Sequence, residues 1–185
     1  MKELSLNILD IAENSTKAKA ELVEIAICET DDSLSIRITD NGIGMTEETL
    51  LSVSNPFYTT RTTRKVGMGI PLFRFAAEQT GGSLSITSTH IDADKDRHGT
   101  TVIATFNKKH IDFTPLGDVI STLTTLVQGH PNVDFLFTYS VCDGCVSLDT
   151  REIRANLEDV PLDTFEVLLW IKDNLEEQYK ELIKN

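Results

Sequence analysis

Asp40-Asn41-Gly42-Ile43-Gly44-Met45 decides how this chain is read. Leu34, Ile36 and Ile38 before it alternate with polar residues, the pattern of a strand with one buried face, so Asp40 stands at a strand's end. A carboxylate there, followed by two glycines one residue apart, describes a wall built for a flat, polar ligand, because glycine lets the backbone approach a bound group closely. A second pair, Gly67 and Gly69 within Lys65-Val66-Gly67-Met68-Gly69-Ile70, supplies the facing wall. One Gly-x-Gly is what any tight turn uses; two in this order make a pattern.

Working outward, Leu4, Ile8, Ile11 and Ala12 recur at helical spacing over residues 3 to about 18, with Asn7, Asp10 and Asn14 on a neighbouring stripe, which predicts an amphipathic helix with one functionalised face. Val23, Ile25 and Ile27 form the first strand of a hairpin turned at Asp31-Asp32-Ser33, and the second strand delivers Asp40. Thr46 opens a short helix, and residues 52 to 66 read as irregular. Residues 69 to 80 are helical, with Pro71 in the first turn and Gly81-Gly82 ending it. Leu84 and Ile86, then Val102, Ala104 and Phe106, predict a second hairpin whose tip, His90 to Gly99, is a solvated loop.

Past a boundary at Thr114-Pro115 come a helix near 116 to 128, strands near 133 to 141 and 145 to 149, a helix near 150 to 158 and a long helix from Pro161. The fold class is therefore α+β, a two-layer α/β sandwich over residues 1–110 followed by a small, acidic α+β module over 111–185. Leu162, Phe165, Leu168, Leu169, Leu175, Tyr179 and Leu182 mark one apolar stripe on the last helix. It packs on its own domain or forms a partner or homodimer surface.

Of 185 residues, 40% are hydrophobic, and no apolar run approaches the ~20 residues that span a bilayer. The start, Met1-Lys2-Glu3-Leu4, does not read as a secretory signal. The expectation is a cytoplasmic protein with no membrane association. Residues 1–110 carry 12 Lys and Arg against 15 Asp and Glu, and residues 111–185 carry 5 against 14, which places −9 of the net −12 in the last part. Such acidity argues against nucleic acid, whose binding is driven by cationic side chains, and favours a basic protein surface as partner.

Cys28, Cys142 and Cys145 are expected to be reduced thiols. Cys142-Asp143-Gly144-Cys145 finds no second pair to complete a four-ligand metal site and is read as structural, the alternatives being an intermolecular metal site or a redox sensor. His90, His98, His110 and His130 are read as surface histidines without a phosphoacceptor context.

With Asn14 on the first helix and Asn55-Pro56-Phe57-Tyr58-Thr59-Thr60-Arg61 between the glycine pairs, the set resembles the Bergerat ATP-binding fold, also called GHKL, over roughly residues 1 to 110. That family includes histidine kinases, anti-sigma-factor kinases, gyrase B and the mismatch-repair ATPases. The resemblance implies ATP and Mg²⁺ as ligands. It gives Asp40 the adenine amino group, a task that suits an acceptor-only carboxylate, and gives Gly42 and Gly44 the approach to base and sugar. Asn14 matches the residue that ligands Mg²⁺ through its amide oxygen. Asp10, one turn earlier, matches the position where fast-hydrolysing members carry a Glu that orients or deprotonates water. Asp is one methylene shorter.

Lys17 resembles a phosphate contact of histidine kinases. Phe57, Thr60 and Arg61 match the box that precedes the ATP lid, where Arg61, Arg64 and Lys65 concentrate positive charge suited to a polyphosphate. Gly67 and Gly69 resemble the pair that cradles phosphate as a helix opens, and Thr100 the threonine that joins Asp40 around adenine. No Gly-Lys-Ser/Thr follows, so this is not a P-loop.

The expected function is that of an Mg-ATP-binding, histidine-kinase-like ATPase domain without its own phosphoacceptor helices, transferring phosphoryl to a regulatory protein partner. The alternatives are a nucleotide-dependent binding switch, like the anti-sigma factors, and a conformational ATPase of the gyrase or chaperone type.

Overall fold

In the computed structural model, residues 3–54, 69–141, 144–157 and 160–184 are described. The chain runs α1 (Leu4–Lys17), β1 (Leu22–Glu29), β2 (Ser33–Asp40), α2 (Glu47–Ser54), α3 (Gly69–Gln79), β3 (Ser83–Thr89), β4 (Gly99–Asn107), α4 (Val119–Gly129), β5 (Asp134–Val141), β6 (Gly144–Asp149), α5 (Thr150–Leu157) and α6 (Phe165–Lys184). The elements expected from periodicity form, with two starts displaced, and α2 runs on to Ser54, into the stretch 52 to 66 expected to be irregular, the remainder of which lies outside the described residues. The helix expected near residue 116 begins at Val119, because Gly117 turns at φ 80° and Asp118 caps it, accepting from the Ser121 N–H at 2.9 Å. The last helix begins at Phe165, four residues past Pro161, after a turn in which the Thr164 N–H meets the Pro161 carbonyl.

The strands make one six-stranded sheet, ordered β3-β4-β2-β1-β5-β6. All neighbours are antiparallel except β1 and β5, which run parallel with Ile25 opposite Phe137. Strand alternation decides the layers. Val23, Ile25, Ile27, Ile36, Ile38, Val102, Phe135 and Phe137 point to one buried face, where Leu4, Ile8, Phe73, Leu123, Leu126, Ile171 and Leu175 of the helices meet them. Glu24, Cys28, Arg37, Ser85 and Thr87 stand exposed on the other.

Residues past 110 therefore add two strands to the same sheet and helices to the same core. They also hold the start of α1, where an N-terminal helix would otherwise leave its first N–H groups unpaired: Leu4 N–H donates to Pro115 O at 3.0 Å and Ser5 N–H to Leu116 O at 2.8 Å. Tyr139 donates to Glu29 Oε2 at 2.6 Å, and Lys108 Nζ lies 2.6 Å from Glu29 Oε1. Burial, and then that bond, push the Tyr139 phenol well above its ordinary range, so it stays a donor.

The α6 stripe forms in part. Leu162, Leu168, Leu175, Tyr179 and Leu182 pack on the core as expected, joined by Val167 and Ile171, whereas Phe165 and Leu169, assigned to the stripe by sequence, are 72% and 46% exposed. Among the described residues no helix is long and apolar enough to cross a membrane. Cys28 and Cys145 are free, exposed thiols; Cys142 lies outside the described residues.

Candidate functional site

Where β2 ends beside α1, a cavity of about 260 Å³ opens between the sheet and the helices. Ile11, Ala18, Ile38, Val53, Ile70 and Val102 give it apolar walls, and Asn14, Ser15, Asp40, Thr49 and Thr100 are its polar groups. Few polar groups on an apolar wall is the usual composition of a small-molecule site, and the volume lies just below the ~300–1,000 Å³ such sites occupy.

Asp40 anchors the polar side. Its Oδ1 accepts the Gly42 N–H at 2.9 Å and its Oδ2 accepts the Ser15 hydroxyl at 2.6 Å. A carboxylate has about four acceptor positions, so both oxygens keep capacity for a ligand's N–H. The following loop is pinned by its backbone: Ile43 N–H donates to Ala18 O at 2.8 Å and Ile43 O accepts from Ile91 N–H at 2.9 Å. Gly42 is buried against Ala18, whose carbonyl would sit 2.7 Å from an added Cβ. Gly44 takes φ 69°, and a Cβ there would fall 1.9 Å from the Thr89 carbonyl. Glycine is required at Gly44 by both its conformation and its surroundings.

Thr100 opens β4 opposite Asp40 in register, and its hydroxyl is 2.9 Å from Ser88 Oγ, which also accepts the Met45 N–H at 2.8 Å. One serine thus joins the glycine loop to the strand bearing Thr100. His98, expected to be a surface residue on a solvated loop, is half-buried and uses Nδ1 to donate to the Gly42 carbonyl at 2.6 Å.

Toward the other mouth, Asn14 lines the cavity while Asp10 is exposed one turn earlier. The start of α3 abuts Asp10, for a Cβ on Gly69 would lie 3.0 Å from that of Asp10. Asn7, expected on the same stripe, is instead 1% exposed, and its amide has no hydrogen-bond partner among the described residues. Lys17 points elsewhere: it does not line the cavity, its side chain is 71% exposed, and Nζ lies 3.9 Å from Glu13. Glu13 also meets His130 Nε2 at 2.8 Å. Phe57, Thr60, Arg61 and Gly67 lie outside the described residues.

The sequence missed Ser15, Thr49, Ser88 and His98. Ser15 follows Asn14 directly, and its position on the buried side of α1 was a signal; Ser88 and His98 reach the site only through the β3–β4 pairing, which no local pattern reveals.

A nucleotide fits the chemistry of these groups. Asp40 offers acceptors to an exocyclic amine inside an apolar slot, and Asn14 an amide oxygen at the mouth. No group of three or more His, Cys, Asp or Glu side chains among the described residues could hold a metal. A hard cation at Asn14 would take its remaining oxygens from phosphates and water, as Mg²⁺ commonly does.

The family described as histidine kinase-, DNA gyrase B-, and HSP90-like ATPase matches residues 1–110. A Rickettsia conorii protein named as a sensor histidine kinase, NtrY-like, is 26% identical over 113 residues, which is 60% of this chain but 18% of that protein. Among solved structures, the Aquifex aeolicus MutL ATPase domain complexed with ADP is similar at a TM-score of 0.50 and 17% identity, over 74% of this chain and 60% of that one. The N-terminal domain of a DNA repair protein is similar at 0.51 and 16%, over 80% and 52%. At these identities the structures share the fold.

Proposed function

Because this chain belongs to the histidine kinase-, DNA gyrase B-, and HSP90-like ATPase family and carries that family's ATP-binding domain, we propose that its cleft binds Mg-ATP and passes the γ-phosphoryl group to a protein partner. The observation that carries the proposal is Asp40, held by Ser15 and the Gly42 N–H at one end of an apolar cavity that has Asn14 at its mouth.

In this reading Asp40 accepts the adenine amino group and, being acceptor-only, rejects guanine's carbonyl. Gly44 and the pinned Ile43 let the backbone lie along the base. Thr100, oriented by Ser88, completes the polar edge. Asn14 presents its amide oxygen to the magnesium ion, and the bound nucleotide supplies the transferable phosphoryl. Catalysis then rests on positioning and charge neutralisation. Asp10 favours transfer over rapid hydrolysis, because the shorter carboxylate reaches less far for water than the Glu of fast-hydrolysing members. The similarity to a protein named as a sensor histidine kinase supports the same choice.

The test is incubation with γ-labelled ATP and Mg²⁺, with and without a lysate of the host, beside Asn14→Ala. Label is expected on a lysate protein and falls by on the order of tenfold or more in the variant, the loss of one strong ligand contact. Free phosphate without labelled protein would replace transfer by a conformational ATPase. Bound but unchanged ATP would indicate a nucleotide-dependent switch, and absence of binding would remove the nucleotide reading.

A further inference from the structure

We propose that the groove between α5, α6 and the outer edge of β6 docks a basic, amphipathic helix of a partner protein. The groove is about 750 Å³. Leu136, Leu148, Ile153 and Leu157 contribute its apolar lining, and Trp170, 54% exposed, stands on the α6 side. Elsewhere on α6, Phe165 and Leu169 are also exposed. Exposed apolar surface of this kind, rimmed by polar groups, marks an interaction site.

Two features choose the occupant. The first is the strand edge. β6 is the last strand of the sheet, and an open edge would invite an extended peptide to pair with it. Here Gln178 has taken that place: its Oε1 accepts the Ser147 N–H at 2.8 Å and its Nε2 donates to the Ser147 carbonyl at 3.0 Å. An incoming strand finds those groups already used, whereas a helix arrives with its own backbone satisfied and needs only an apolar face.

The second feature is charge. Glu152 lines the groove, and Asp173 and Glu177 sit on α6 three residues after Trp170 and Asn174, a spacing that brings them beside those two lining residues. All three acids are exposed, and none has a basic side chain within ion-pair distance among the described residues. The nearby cations are already paired: Arg151 with Asp149, itself a lining residue of the groove, Arg154 with Asp134, and Lys172 and Lys180 both with Glu176. The groove's free charge is negative. A second copy would set acids against acids, and an anionic lipid surface would be repelled, but Lys and Arg flanking an apolar helix face would be complementary.

Trp170 is the chain's only tryptophan, so its fluorescence reports this groove alone. The probe is a synthetic helix of about 18 residues, long enough to hold helical form, with Leu on one face and Lys on the other. One control replaces Lys by Glu and another replaces Leu by Ser. Binding is expected for the first peptide only, with a saturable blue shift of Trp170. Affinity should fall about tenfold in Glu152→Lys/Glu177→Lys, and, by anisotropy of labelled peptide, by a similar factor in Trp170→Ala, the truncation of a central aromatic anchor. These side chains are exposed, and circular dichroism verifies that the variants fold. Equal binding of the Glu peptide, or indifference to both variants, would overturn the proposal. So would a blue shift that follows protein concentration alone, marking a second copy, or one produced by phosphatidylglycerol vesicles and not by peptide. In the sheet β1 separates this groove from the strands of the nucleotide cleft, so peptide binding and ATP binding can fail independently.

Discussion

Gly44 and Gly81 share a left-handed backbone, at φ 69° and 77°, yet a methyl group would affect them differently. Beside Gly81 nothing lies within 4 Å of the added carbon, so Gly81→Ala is expected to cost only the conformational penalty, ~1–2 kcal/mol, and to leave nucleotide binding unchanged. At Gly44 the same carbon meets the Thr89 carbonyl at 1.9 Å, and the loop must move away from Thr89, which strains the neighbouring Met45 N–H bond to Ser88. Gly44→Ala should therefore lose nucleotide binding by at least about a hundredfold, roughly two hydrogen-bonded contacts. Fluorescent-nucleotide titration with urea unfolding of both variants checks the pair, and equal effects at the two glycines would refute the steric account. At this scale the sequence was most legible where a residue's chemistry is unusual for its surroundings, as with Asp40 ending an apolar strand or paired glycines. Ser15, Ser88 and His98 are ordinary residues until tertiary partners lie beside them, and for that reason they were missed.

Among the elements, α4 is set by its cap. Asp118 accepts from both the N–H and the hydroxyl of Ser121, at 2.9 and 2.6 Å, and these bonds hold its carboxyl below the ordinary carboxylate range. Asp118→Ala is expected to destabilise the protein by ~1 kcal/mol at neutral pH, within the usual 0.5–2 kcal/mol of a lost N-cap. The sign of the pH dependence follows from the lowered value: the cap's contribution is complete above the unfolded-state value near 4 and disappears as pH falls through the lower folded-state value. The difference in urea midpoint between wild type and variant should thus be constant from neutral pH to about pH 5 and shrink below about pH 4; growth on acidification would contradict the cap. Elements were legible where periodicity was strong, as in α1, β2 and α3. The α6 seam was legible only in part, because Phe165 and Leu169 are as apolar as the buried Val167 and Ile171, and apolarity alone cannot separate a core stripe from an exposed face beside it.

For the molecule as a whole, the family match stops at residue 110 while the sheet does not. β5 lies along all of β1, from Leu22 opposite Asp134 to Glu29 opposite Val141, a parallel pairing across more than a hundred residues that no local pattern encodes. Phe135, Phe137, Leu123 and Leu126 are each 0% exposed, and they cover the side of α1 and β1 away from the cleft. Burying such a side chain contributes ~1.5–3 kcal/mol; four of them rival the ~5–15 kcal/mol that separates a folded domain from its unfolded chain. Removing residues 111–185 would also free the Leu4 and Ser5 N–H groups that Pro115 and Leu116 hold, loosening the helix that carries Asp10 and Asn14. Two outcomes are expected. Residues 1–110 alone should give no cooperative unfolding transition and no ATP binding. The full chain should unfold in a single step, with Trp170 fluorescence on α6 and far-UV circular dichroism tracing coincident urea curves. Saturating ATP should raise both midpoints together, since a ligand that binds only the folded state stabilises everything that folds with its site. A Trp170 transition that ATP leaves in place while the dichroism midpoint moves would mean that the strands beyond β1 fold as a separate unit, and that the continuous sheet does not carry stability across it.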